Sequence, residues 1–258
     1  MVITLAVIFV GVEWIAPVAL SFYAAKKAPA VARVVPTDLK DHSVSNAPGR
    51  KLAYVGYEFE IPWNDLDEAQ TKLYPKDKPD KFRADLHFHS GLRLLVSSIP
   101  PESWARDLPQ TFGVSPQRIE SIFGHEILGS DYKFIKTIYE FTPDKMNHWK
   151  FWRSGFNRDE VLLLVKSIAP SKAAESGIFN LQTQNYRGFQ QGNSLVRQDK
   201  IIVELYSDEG AVDLIFFQKD YLQSAGVTQP EINRIIQSLH KISRVVPSNT
   251  NSASLGRL

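Results

Sequence analysis

Asp85, His87 and His89 stand at alternate positions, so on a β-strand all three side chains project from one face. Two imidazoles and a carboxylate are donors that zinc or another divalent cation accepts, and a metal-bound water would supply a hydrolytic nucleophile. His125-Glu126 would add a further donor if its helix packs nearby. The same alternation also describes an ordinary strand that buries Leu86 and Phe88 and leaves its polar side chains to water. No Cys and no HExxH helix is present to complete a metal set.

Other clusters have similar double meanings. Ser130-Asp131-Tyr132-Lys133 has the spacing of a serine nucleophile assisted by lysine, but Lys136-Thr137-Ile138 stands where a Lys-Thr-Gly companion would be needed. Ser130 is equally an N-cap. Trp63 is followed by Asp65, Asp67 and Glu68, a density of acids that the first turn of a helix favours through its dipole. The window 146–152 is the richest in aromatics, and Trp149 and Trp152 are the expected binding residues, because exposed aromatics concentrate binding energy. No Walker loop, GxGxxG, GxSxG or basic-aromatic stripe occurs, so no nucleic-acid partner is expected. No catalytic residue is expected either. The reading is a domain that binds a protein or small molecule; the alternative is a metal-assisted hydrolase using Asp85, His87 and His89. No cofactor is expected apart from that divalent metal.

The elements that must position these residues follow from composition and pattern. With 258 residues, 43% of them hydrophobic, there is ample material for a core, and 30 Lys+Arg against 28 Asp+Glu leave the chain nearly neutral. Residues 1–25 are almost wholly apolar and as a helix would span roughly 37 Å, enough for a bilayer core of about 30 Å. Glu13 opposes insertion by about 2.5–3.5 kcal/mol, whereas the Leu, Ile, Val and Phe side chains together favour it by about 4–7 kcal/mol. The expectation is a single-pass transmembrane anchor. A cleaved signal peptide ending at Ala28-Pro29-Ala30 and a buried core helix are the alternatives. Glu13 would allow two anchors to pair as a homodimer.

Residues 26–51 carry Lys26, Lys27, Arg33, Lys40, Arg50 and Lys51 against Asp38 and Asp41. They read as a basic linker beside the membrane, able to touch anionic head groups, and by the positive-inside rule they place the body in the cytoplasm. Residues 52–245 form a single α+β domain and 246–258 a disordered tail.

Within the body, 52–61 alternates as one strand, and Asp65 with Glu68 has capping-box spacing for a short helix. Residues 82–98 are either a strand kinked at Gly91 or a hairpin turning at Ser90-Gly91. Helices are expected after Ser115, Ser130, Thr142 and Asn157, the last with Val161, Leu164, Val165 and Ile168 on one face. Segments 177–183 and 186–190 read as strand, and 201–206 with 211–217 as a hairpin. Thr228 and Glu231 cap a helix whose Ile232, Ile235, Ile236 and Leu239 form an apolar stripe. Strands, then helices, then strands and a helix make an α+β fold with a mainly antiparallel sheet.

Overall fold

The computed structural model describes residues 18–74, 82–148, 157–218 and 226–242. Residues 18–27 are helical (α1) and lead through a 3-10 turn at Ala30–Arg33 to β1 (Pro36–Asp38). β2 (Arg50–Tyr54), β3 (Tyr57–Ile61), β4 (Leu66–Tyr74), β5 (Phe82–Phe88) and β6 (Leu92–Ile99) follow. The helices α2 (Ser103–Phe112), α3 (Pro116–Phe123), α4 (His125–Leu128), α5 (Asp131–Glu140) and α6 (Arg158–Ile168) come next. The chain then forms β7 (Ile178–Gln182), β8 (Arg187–Gln191), β9 (Lys200–Ser207), β10 (Gly210–Gln218), α7 (Gln229–Ser238) and β11 (His240–Lys241).

An eight-stranded sheet runs β1-β7-β8-β9-β10-β6-β5-β4, antiparallel except where β1 lies parallel to β7, and a second sheet runs β11-β3-β2. The architecture is α+β with a large, mostly antiparallel sheet and packed helices. One face of the large sheet presents Val203, Leu205, Val212, Leu214 and Phe216 to a core shared with Phe59 and Ile61 of the small sheet and with Ile232, Ile235 and Ile236 of α7. The other face contributes Ile178, Phe189, Tyr206 and Ala211 to a second core with Ala25 of α1 and with α3, α5 and α6.

Local chemistry explains where the elements depart from the sequence pattern. The strand expected over 52–61 is a hairpin, because Val55 (φ 51°) and Gly56 (φ 82°) both adopt left-handed backbone and turn the chain between β2 and β3. Two left-handed central residues make the tight turn that matches strand twist. The helix expected after Asp65 is strand β4. The Asp65 carboxylate accepts the Ser90 N–H at 2.7 Å, tying it to the β5–β6 turn. Asp67 Oδ1 accepts the N–H groups of Ala69 and Gln70 within the bulged strand. Residues 82–98 take the hairpin form, with Gly91 at φ 86°.

The buried face of α6 also differs, for Leu164 and Ile168 are exposed while Val161, Leu162, Val165 and Lys166 are buried. Lys166 can turn inward because its ammonium donates to the carbonyls of Val34, at 2.7 Å, and Tyr139. Burial, and then the charge of Lys145, bring its pKa down to about 8. The stretch expected as a linker holds the 3-10 turn and β1, and its backbone is clamped on α7: Asn233 Nδ2 donates to the carbonyls of Asp41 and Ser43.

Candidate functional site

Four loops meet at one end of the large sheet. Three of them are placed by features that belong to the fold. Ser130 caps α5 by accepting the Lys133 N–H at 3.4 Å, so the α4–α5 junction and the first turn of α5 are fixed. Thr183 Oγ1 accepts the N–H groups of Asn185 and Tyr186, which shapes the β7–β8 turn. Ser207 Oγ donates to the Gly210 carbonyl at 3.1 Å across the β9–β10 turn. Gly210 itself has φ 123°, and a Cβ there would lie 2.6 Å from the Ile99 carbonyl oxygen, so no larger residue fits where this turn meets the end of β6. The fourth loop, between β6 and α2, contains Glu102 in the left-handed region at φ 56°.

Between these loops lies a pocket of about 510 Å³, a volume typical of small-molecule sites. Gln182, Gln184, Asn185 and Arg187 stand on one side, and Ser130, Asp131 and Tyr132 on the other. Tyr186 and Tyr206 also line it, both buried, the first in the core with α7 and the second in the core on the opposite sheet face. The ring of Tyr132 stacks on Phe189 with centroids 5.5 Å apart, and the Arg187 guanidinium lies 5.7 Å from the Tyr132 ring centroid. Asp131 is buried and its carboxylate accepts the Ser103 N–H at 3.2 Å, which joins the start of α2 to the start of α5. The floor is therefore packed before any ligand arrives.

Beside Tyr206 on the same sheet face is a pair of acids. Glu204 on β9 and Asp213 on β10 stand directly opposite each other in the strand register. Tyr139 donates its hydroxyl to Glu204 Oε2 at 2.8 Å, and Gln191 Nε2 donates to Glu204 Oε1 at 3.1 Å and to the Tyr139 oxygen at 2.8 Å. The Asp213 backbone is paired in the sheet, and its carboxylate has no hydrogen-bond partner among the described residues. Burial, and for Asp213 the adjacent Glu204 charge as well, push both carboxyls above their ordinary range. Like charges this close disfavour double ionisation, so the pair holds a proton at pH values where isolated acids have released theirs. Burial and the Glu204 charge also raise the hydroxyls of Tyr139 and Tyr206.

The expected metal donors do not converge. Asp85 is buried and gripped by Arg93, whose Nε and Nη2 donate at 2.5 and 2.6 Å. Burial raises the Asp85 carboxyl, and Arg93, aided by His87 at 3.3 Å, outweighs it and leaves the group below its usual value. His89 lies beyond the end of β5, with its ring 3.7 Å from Asp67 and its N–H on the Asp65 carbonyl. His125 pairs with Glu120 at 3.6 Å. Among the described residues no three His, Asp or Glu side chains are grouped to hold a metal ion. The Ser130-Lys133 spacing brings no serine activation, because Lys133 Nζ donates to Glu126 at 2.8 Å. Trp149 and Trp152 lie outside the described residues, as do residues 1–17.

The pocket and the acid pair were absent from the sequence reading. The pair did have a signal. IIVELY and AVDLIFF each hold a single acid in an apolar run, and a two-residue turn at 208–209 necessarily sets position 204 opposite 213. The pocket's walls come from loops far apart in the chain and carry no such pattern. In comparisons with known proteins, no family model, no curated protein and no solved structure matches this chain.

Proposed function

We propose that the chain is a membrane-tethered domain that acts by binding and takes its ligand in the pocket at the loop end of the large sheet. The observation that carries this reading is the pocket itself: a concavity of about 510 Å³ with convergent amide, hydroxyl and charged side chains, within the size range of small-molecule sites. The tether rests on the apolar sequence of residues 1–17, which precede α1, and on the exposed side of α1 itself. Among the described residues no helix is long and apolar enough to cross a membrane. The described part, α1, buries Ser21 and Ala25 against the body, and Phe22 stacks on His148 at 3.7 Å. It leaves Leu20 and Tyr23 exposed beside Lys26 and Lys27, a combination suited to a membrane interface.

A paired measurement tests the two halves. In alkaline carbonate extraction of expressing cells the chain is expected to stay with the membranes, and release of the full-length chain overturns the tether. In a thermal-shift screen of small polar molecules, compounds that stabilise the parent are expected to lose their effect on Asn185→Trp, which narrows the pocket from an exposed turn. A screen whose every stabilising compound acts equally on both proteins, or which yields none, overturns the pocket.

A further inference from the structure

We infer that the pocket formed by the β7–β8 turn and the start of α5 selects a neutral, polyhydroxylated ligand, a short saccharide. This rests on the binding reading above and adds the chemical class. The pocket is too polar for a lipid or an apolar compound, since amides, hydroxyls and charged groups dominate its walls. A phosphate or other anion would face Glu102, Asp131 and Asp208 with Arg187 as the one cation among the lining residues, and that balance repels it. A simple amine would satisfy the carboxylates and leave the amides of Gln182, Gln184 and Asn185 idle.

Sugar hydroxyls use the whole set, because each both donates and accepts. Side-chain amides offer one acceptor and two donors, and carboxylate and guanidinium forks match adjacent hydroxyls in pairs. Tyr132, partly buried and held in place by its stack on Phe189, lines the same wall beside Arg187. A volume of about 510 Å³ holds a disaccharide. Glu102, which also lines the pocket, stands in the left-handed backbone region at φ 56°.

The test is a set of two-dimensional ¹⁵N NMR titrations of the full chain in detergent with maltose, cellobiose, N,N′-diacetylchitobiose, spermidine and inorganic phosphate. At least one disaccharide is expected to shift the amides of residues 130–132, 182–187 and 206–208, and the other two probes are not. Gln184→Ala combined with Asn185→Ala, both at exposed turn positions, should keep the spectrum folded and weaken that disaccharide about tenfold, the equivalent of one or two lost hydrogen bonds. Shifts with spermidine or phosphate alone overturn the ligand class and leave the pocket standing as a site. Unchanged affinity in the double variant overturns the placement, and no shift at these amides with any probe overturns both.

Discussion

On the side that meets α7, strands β9 and β10 present Ile201, Val203, Leu205, Val212, Leu214 and Phe216, all fully buried. On the reverse side the same strands present Ile202, Glu204 and Tyr206, then Ala211, Asp213 and Ile215. The first face follows the simplest rule for a half-sheet, and each of its larger side chains contributes about 1.5–3 kcal/mol through burial. The second places two acids opposite each other, where they resist ionisation and repel. Strand geometry is the same on both sides, so the difference is chemical. The face toward α7 is apolar throughout, and the reverse face sets Glu204, held by Tyr139 and Gln191, opposite Asp213 within an otherwise apolar core.

The largest effect should come from the apolar face. Ile235→Asp puts a charge into the core that α7 shares with the sheets and is expected to destabilise the protein by about 4 kcal/mol or more, whereas Gln237→Asp, on the exposed side of α7, is expected to leave the melting temperature nearly unchanged. Equal melting temperatures for the two would break the comparison. Next comes the acid pair. A carboxyl whose pKa is raised on folding binds a proton in the native state that the unfolded chain has released, so its protonation supports the fold at low pH and that support is lost as pH rises through the folded value. Asp213→Asn removes both the titration and the repulsion. It should therefore be more stable than the parent at about pH 8, by about 1–3 kcal/mol, with the advantage gone at about pH 3 and below, where both carboxyls are protonated whether the chain is folded or unfolded. A variant less stable than the parent at both values would place Asp213 among the fold's supports. The smallest effect belongs to the rim: Gln184→Ala should alter stability by less than about 0.5 kcal/mol, and a larger loss would mean that the pocket wall is part of the fold's framework.

Much of the scaffold was legible because local rules agreed with one another. Asn157 with Glu160 and Thr228 with Glu231 form the capping boxes their spacing implied, and β9 and β10 pair around the turn their composition marked. The stripe of Ile232, Ile235 and Ile236 is buried as expected. Legibility ended where a side chain's partner lay far away in sequence. Asp65 and Glu68 have helical spacing, but the Ser90 N–H claims the Asp65 carboxylate. Lys166 interrupts an apolar run as a surface residue would, yet it is fully buried because two distant carbonyls receive it. Asp85 was legible as chemistry, but its pairing with Arg93, diagonal to it across the hairpin, was not. The pocket combines all these difficulties, being assembled from four loops that only the finished sheet brings together.

The parallel pairing of β1 with β7 has a consequence for how the molecule is completed. Asp38 and the Asn180 that donates to it are 142 positions apart, so this edge of the large sheet closes only after nearly three quarters of the chain has been synthesised. Contacts of such long range are slow to form because the intervening loop must first lose its freedom. Until β1 arrives, β7 is a bare edge whose unpaired amides and carbonyls can recruit a strand from another molecule. The longer that edge stands open, the greater the chance that two nascent chains join through it.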